Sequence, residues 1–154
     1  MTGAGVLPAR RATSADLDAV VELFSGYLEF YGRDLPPDDV RAFVTERFET
    51  GQSVLLVAEV DGAVVGFAQC YPTWSSLSLA PSWILNDLFV APAGRGRGVG
   101  RALVRAVRAA ATEAGAAYVE LSTARTNVTA QALYESESFV RDDEFLVYTA
   151  ENHG

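Results

Sequence analysis

Apolar positions change their period along this chain, and the changes mark out its elements. After a weak strand over Val6–Ala12, the cap-like run Thr13-Ser-Ala-Asp16 precedes Leu17, Val20, Val21, Phe24 and Leu28, which recur at helical spacing. Leu35-Pro-Pro37 breaks that period. Asp38–Glu49 resumes it with Val40, Phe43, Val44 and Phe48 on one face, until Gly51 stops the helix. Two apolar runs, Ser53–Val60 and Ala63–Tyr71, flank Asp61-Gly62, a pair suited to the positive φ angles of a tight hairpin turn. Trp83–Val90 reads as a further strand, ended by Ala91-Pro-Ala-Gly94. A glycine-rich turn then opens a helix over Val99–Ala114, with Leu103, Val104, Val107, Ala110 and Ala111 facing one way and Arg101, Arg105 and Arg108 another. A strand over Ala116–Thr123, a short helix over Asn127–Glu137 and a last hairpin, Phe139–Arg141 with Phe145–Ala150 around Asp142-Asp143, complete the order βααβββαβαββ. Such alternation predicts a mixed α/β layer fold.

Composition narrows the possibilities. The 154 residues are 49% hydrophobic, enough for one self-sufficient core, and no repeat or linker interrupts them, so a single domain over 1–154 is expected. No run of eighteen apolar residues exists, and arginines follow the few apolar residues of the N-terminal stretch, the reverse of a secretory signal. The expectation is a soluble, cytoplasmic protein with no membrane partner. Cys70 is the one cysteine and His153 the one histidine, which excludes disulfide frameworks, Cys/His zinc sites and histidine triads inside the fold. No metal is expected, and catalysis is left to carboxylates, hydroxyls and main chain. Cys70 itself reads as a small buried residue at a strand end.

Charge is distributed unevenly. The net charge is -8, yet Leu88–Thr112 holds five arginines and no acid, so this window carries +5 and the remainder -13. An acidic surface argues against nucleic acid as a partner. All twelve basic residues are arginine, which rules out a lysine-bearing P-loop. The glycines at 94, 96, 98 and 100 allow a sharp turn into a helix N-terminus, where unpaired N–H groups favour a phosphate or diphosphate. A flexible turn beside a solvated basic helix face is the alternative. A dinucleotide fingerprint fails in every register, because Val99, Arg101 and Leu103 stand where its third glycine belongs.

Arg95-Gly-Arg-Gly98-Val-Gly100 resembles the Q/R-x-x-G-x-G/A pattern of the Gcn5-related N-acetyltransferases, and Asn86-Asp-Leu-Phe-Val90 with Pro92 looks like that family's fourth strand. Downstream, Asn127-x-x-Ala130-x-x-Leu133-Tyr134-x-x-x-Ser138-Phe139 is similar to its N-x-x-A-x-x-x-Y-x-x-x-G-F signature, with Ser138 where glycine is usual. The resemblance implies a central, twisted, mostly antiparallel sheet of about seven strands, splayed between the fourth and fifth, with four flanking helices. It implies acetyl-coenzyme A as co-substrate. The diphosphate would rest on main-chain amides from Gly96 through Arg97, Gly98, Val99 and Gly100 to Arg101, and the pantetheine on Leu88, Phe89 and Val90, with Arg95 beside them. One strand donor would bind the thioester oxygen and stabilise the oxyanion. Asn127 would hold the pantetheine arm and Tyr134 would protonate the departing thiolate; their seven-residue spacing puts both on one helix face.

The acceptor amine must lose a proton before or during attack. Asp87 lies within an otherwise apolar strand, where alternation groups it with Leu85 and Phe89, and it is the candidate base, directly or through water. A structural carboxylate satisfied by a loop N–H or an arginine is the competing reading. Tyr27, Glu29 and Tyr31 at the end of the first helix and Trp74 beyond the third strand are candidate acceptor residues, since aromatic rings near acids suit a cationic amine. In layout the chain looks closest to diamine and lysine-type amine acetyltransferases. The function expected is acetyl transfer from acetyl-coenzyme A to a primary amine, a polyamine, an amino acid or a lysine-like or peptide amine, in a ternary complex. Rival readings are a non-catalytic acyl-coenzyme A sensor and a nucleotide- or RNA-binding protein using the glycine-arginine run. A homodimer paired through the last hairpin is a further expectation.

Overall fold

The computed structural model describes residues 8–153. Its strands are β1 (Arg10–Arg11), β2 (Val54–Val60), β3 (Ala63–Ser75), β4 (Ala80–Val90) and β5 (Val119–Glu120). The α-helices are α1 (Leu17–Phe30), α2 (Pro37–Glu49), α3 (Val99–Glu113) and α4 (Val128–Ser136), with single 3-10 turns at Ser14–Asp16 and Pro92–Gly94. The strands lie in chain order in one sheet, antiparallel except for the parallel pair of β4 and β5. Asp61 and Gly62 both take positive φ, 53° and 82°, which gives the β2–β3 turn the twist its strands need. Val6 and Leu7 of the expected first strand lie outside the described residues. No helix among the described residues is long and apolar enough to cross a membrane.

Both sheet faces are covered, which explains why β2 is a continuous apolar run rather than an alternating one. Leu55, Val57 and Phe67 meet Val20, Phe24 and Val44 of α1 and α2. Leu56, Ala68 and Cys70 meet Leu103 and Val107 of α3 on the opposite face. Close approach of α3 is possible because Gly66 has no side chain: a β-carbon there would come within 2.9 Å of Val99. Cys70 lies in the middle of β3 rather than at a strand end, since that strand continues to Ser75.

Three expectations need correction. The sheet has five strands among the described residues, not about seven, because the last hairpin does not form. Residues 139–153 join no ladder, and an isolated pair of strands without a face to pack on is marginal in water. The strand expected over Ala116–Thr123 shrinks to two residues, because β5 pairs β4 only at Trp83 and Ile84 and then parts from it. Strict alternation also fails in β4. Gln69 pairs with Asp87 but Cys70 pairs with Leu85, so Asn86 is an extra residue in a β-bulge. As a result Leu85 packs on the α3 side, whereas Asp87 and Phe89 turn to the α1 side.

Candidate active site

Beyond Ile84 the second edge of β4 is open among the described residues, where β5 parts from it. Ala91 N donates to Val65 O at 2.8 Å, so by antiparallel alternation Val90 and Leu88 direct their main-chain groups away from β3, into the gap. The Val90 carbonyl accepts from Arg95 Nε at 3.0 Å, and the Arg95 guanidinium lies 5.8 Å from the centre of the Phe89 ring. Arg95 is thus folded against the strand.

The turn entering α3 is built from backbone. Gly96 and Gly98 both have φ of 75°, a left-handed conformation that costs other residues roughly 1–2 kcal/mol. Added β-carbons at either position would meet nothing within 4 Å, so these glycines serve the turn's conformation and leave its outer side open. Gly98 caps α3 with no side chain on the helix end, and among the described residues no acceptor meets the amides from Gly96 to Arg101. Unpaired amides at a helix N-terminus form an anion cradle.

The arginines, by contrast, are largely engaged elsewhere. Arg97 lies 3.7 Å from Asp61. Arg101 and Arg105 converge on the buried carboxylate of Glu137, and Arg108 donates to the Glu137 carbonyl at 2.9 Å. Arg105 first, then Arg101, hold the Glu137 carboxyl below the usual carboxylate range. The basic stripe of α3 is therefore a clamp on the end of α4 rather than a solvated face. The spacing of Arg101, Arg105 and Arg108 puts them on one face of the helix, but nothing in the sequence names Glu137 as their shared partner.

Asn127 stands one residue outside α4. It is the N-cap, its Oδ1 accepting from Ala130 N at 3.1 Å, which leaves its amide nitrogen as the free group. Tyr134 is half-buried further along α4, its ring 5.9 Å from that of Phe139. Burial, with a smaller contribution from the Tyr31 phenol, raises its hydroxyl above the ordinary phenol range. Gly100 lets α4 approach α3, since a β-carbon there would come within 3.3 Å of Leu133. Ser138 takes φ of 73°, the left-handed conformation glycine usually supplies after a helix, and Phe139 N donates to Tyr134 O at 3.0 Å. The turn keeps its form despite the substitution.

Asp87 is buried at 4% exposure, and no arginine among the described residues pairs with it. Gln69 Nε2 donates to its Oδ2 at 2.9 Å, Asn86 Nδ2 to its Oδ1 at 3.1 Å, and Ser53 Oγ to Gln69 Oε1 at 2.9 Å. The carboxylate is held by side-chain amides, neither by a loop N–H nor by a cation. Its influence extends to its neighbours. Burial foremost, then Asp87, raises the Tyr27 and Tyr71 hydroxyls and pushes the Cys70 thiol up to about 12. Tyr27 reaches toward the Asn86 carbonyl at 3.5 Å, and its ring packs 6.4 Å from Phe89 and 5.1 Å from Tyr31.

The other two expected acceptor residues are not brought here. Glu29 is exposed and two residues from both Tyr27 and Tyr31, hence on the opposite side of α1. Trp74 is five residues beyond Gln69 in β3, about 17 Å along the strand, and 76% exposed. Sequence reasoning overlooked Gln69 and Ser53. A glutamine inside the apolar run Val64–Cys70 was the available signal, but only the bulged register shows that it faces Asp87.

The sequence profile of the acetyltransferase (GNAT) family matches residues 17–139. A Bacillus subtilis (strain 168) protein named "Uncharacterized N-acetyltransferase YhfO" is 40% identical over 139 residues, covering 90% of this chain and 93% of its own. An Archaeoglobus fulgidus protein named "Uncharacterized N-acetyltransferase" is 31% identical, covering 87% and 93%. A crystal structure described as a probable acetyltransferase superposes with a TM-score of 0.89 at 37% identity, covering 96% of this chain and 99% of that one. The aminoglycoside N-acetyltransferase AAC(6')-Iy, solved in complex with CoA, shares the fold with a TM-score of 0.80 at 22% identity, covering 98% of each chain. With the amide-lined turn, the open strand edge and the half-buried tyrosine in place, the chain belongs to the acetyltransferase (GNAT) family.

Proposed function

We propose that this acetyltransferase moves the acetyl group of acetyl-coenzyme A onto a primary amine that arrives as an ammonium ion, and that Asp87 receives it. The observation carrying this reading is the buried carboxylate without a cation. Burying a charge is costly unless it is paired, and among the described residues Asp87 is met only by side-chain amides. A cationic amine supplies the missing charge, and the rings of Tyr27 and Tyr31 offer it a path lined by π-faces.

The donor fits the residues opposite. Free amides from Gly96 to Arg101 would take the diphosphate, the outward main-chain groups of Leu88 and Val90 the pantetheine, and the free amide of Asn127 a carbonyl of the same arm. Asp87 takes the ammonium proton, directly or through one water, and the neutral nitrogen attacks the thioester carbonyl. A strand N–H on the open edge stabilises the oxyanion as it forms. When the carbon–sulfur bond breaks, Tyr134 gives its proton to the leaving sulfur, and the second proton lost by the nitrogen restores the phenol, directly or through water. Its raised affinity for the proton keeps it loaded at neutral pH, so that it stands as a hydrogen-bond donor to the sulfur while charge gathers there.

Thiol release from acetyl-coenzyme A, measured across diamines, lysine-like amines, aminoglycosides and anionic amino compounds, tests the reading. Release is expected with cationic primary amines and falls as a carboxylate is placed nearer the nitrogen. Coenzyme A binding with no thiol release from any amine would favour the sensor reading instead.

A further inference from the structure

An arginine stands where the pattern of α2 calls for an apolar residue. Val40, Phe43, Val44 and Phe48 form the stripe by which α2 packs inward, and Arg47, four residues after Phe43 and three after Val44, falls in the same stripe. Its side chain is only 19% exposed. An arginine in the last turn of a helix gains from the helix dipole on any face, so the dipole does not explain the inward one. The guanidinium lies 4.7 Å over the Phe43 ring, and its Nε, shielded from water, has no hydrogen-bond partner among the described residues. Nη2 stands 2.9 Å from the carboxylate of Glu46, but that side chain is 65% exposed, and consecutive residues of a helix do not face each other. A pair of this kind contributes little. Arg47 thus carries a sheltered charge without a built partner.

Backbone and sheet bring this cation toward Asp87. Gln52 N donates to the Arg47 carbonyl at 3.1 Å, and the next residue, Ser53, begins the chain of side chains that ends on the Asp87 carboxylate. Along β3, Phe67, Gln69 and Tyr71 alternate with Ala68 and Cys70, so Tyr71 shares the α1 and α2 face with Gln69. Both charges act on the Tyr71 phenol: after burial, Asp87 raises its hold on the proton and Arg47 lowers it. On the helix side an aromatic row links the ring beneath Arg47 to the acceptor rings. It runs from Phe43 through Phe24 and Tyr27 to Tyr31, with successive ring centres 6.3, 5.7 and 5.1 Å apart.

We propose that Arg47 determines specificity by receiving a carboxylate of the acceptor, so that the favoured amine is a long zwitterion with its ammonium on Asp87 and its carboxylate on Arg47. The subsite rests on the acetyl-transfer reading, in which Asp87 takes the ammonium. A planar guanidinium matches a carboxylate with two parallel N–H donors, and the ligand displaces only the solvated Glu46. One positive charge offsets one negative charge, and the C-terminal end of α2 disfavours more, so a phosphate dianion fits less well. An α-amino acid carries its two charges too close together to span groups on α2 and β4. An ω-amino acid separates them.

Thiol release with straight-chain ω-amino acids from β-alanine to aminocaproate, each compared with its own neutral amide, tests the proposal. In the wild type the ratio of kcat/KM for acid over amide should rise with chain length and exceed about tenfold at one length, as for a hydrogen bond to a charged group. In Arg47→Gln the ratio should fall to about one, whereas Arg47→Lys, which keeps the charge and loses the fork, should retain part of it. General damage to the site lowers both members of a pair alike and leaves their ratio. If Arg47→Gln does not fold by near-UV circular dichroism, Arg47→Lys decides, with a loss of about threefold or more in the ratio expected. A wild-type ratio near one at every length, or a ratio unchanged in the folded variant, overturns the subsite. Should no amine release thiol, the acetyl-transfer reading falls by itself, and calorimetry with aminocaproate then reads the subsite. Affinity lost in Arg47→Gln supports it, and equal affinity in the variant or no binding to the wild type overturns it.

Discussion

The proposed donor and acceptor sides of β4 are built by different means. On the proposed donor side the groups on offer are main-chain amides placed by a glycine turn and by the parting of β4 and β5, and the side chains nearby are spent on structure. On the proposed acceptor side the candidate group is a single carboxylate, aimed by one extra residue in a strand and held by Gln69 and Ser53. Chemistry assigned to backbone should tolerate many side-chain changes, provided the backbone conformation survives. Chemistry assigned to one side chain should tolerate none.

The largest expected effect is therefore on the acceptor side. Asp87→Asn keeps the volume and removes the proton acceptor, so kcat should fall about 10²–10³-fold, as for loss of a general base. Its rise with pH should flatten, while the KM for acetyl-coenzyme A changes little. Steady-state kinetics over a pH series decides this, and an unchanged pH profile removes Asp87 from the mechanism.

A paired test on the donor side comes next. Gly98→Val places a β-branched residue at φ of 75° in the cradle and should raise the KM for acetyl-coenzyme A about tenfold or more, with kcat at saturation largely retained. Arg97→Ala, one position earlier, removes a guanidinium whose neighbour is Asp61 and should alter that KM less than about threefold. Equal losses in the two variants would mean that side-chain charge, not the amide cradle, holds the donor.

Gln69→Leu probes the support beneath the carboxylate. Removing the 2.9 Å bond to Oδ2 leaves Ser53 without its partner and frees Asp87 to turn, so kcat should drop about tenfold. Gln69→Glu places a second acid against the first and should be worse. Recovery of the pH profile, though not of stability, in Gln69→Asn would mark Gln69 as a positioning residue.

This difference also explains what could be read from the sequence. The turn at Asp61-Gly62, the helix faces of α1 and α3 and the glycine run into α3 are local patterns, in which the residues that declare the geometry also adopt it. Gly96 to Arg101, Asn127 and Tyr134 are candidates through the family resemblance of two such local motifs, Arg95–Gly100 and Asn127–Phe139. The bulge at Asn86 has no local signature, because it arises from the register of β3 against β4 and reverses the face of Leu85 relative to Asp87. Gln69, seventeen residues from Asn86, was invisible as its consequence. The last hairpin failed for a related reason. Phe139–Ala150 has strand composition, but composition does not say against which surface a strand is paired, and among the described residues this segment joins no ladder.

The smallest expected effect concerns stability at the end of α4. Ser138 occupies φ of 73°, where a β-carbon crowds the backbone, and its place is fixed by Phe139 N donating to Tyr134 O and by the arginines gathered on Glu137. Ser138→Gly relieves strain of roughly 1–2 kcal/mol but enlarges the freedom of the unfolded chain by somewhat less, so the net gain should be about 0.5–1 kcal/mol. For a domain of this size that is a rise in Tm of about 2–3 °C. Kinetic constants should stay within about twofold, because the turn already has the form that glycine would give it. Calorimetry on the two proteins measures the shift. A fall in Tm would mean that Ser138 makes a contact worth more than its strain, while a change in kcat would show that the turn sets the position of Tyr134 more finely than its hydrogen bonds suggest.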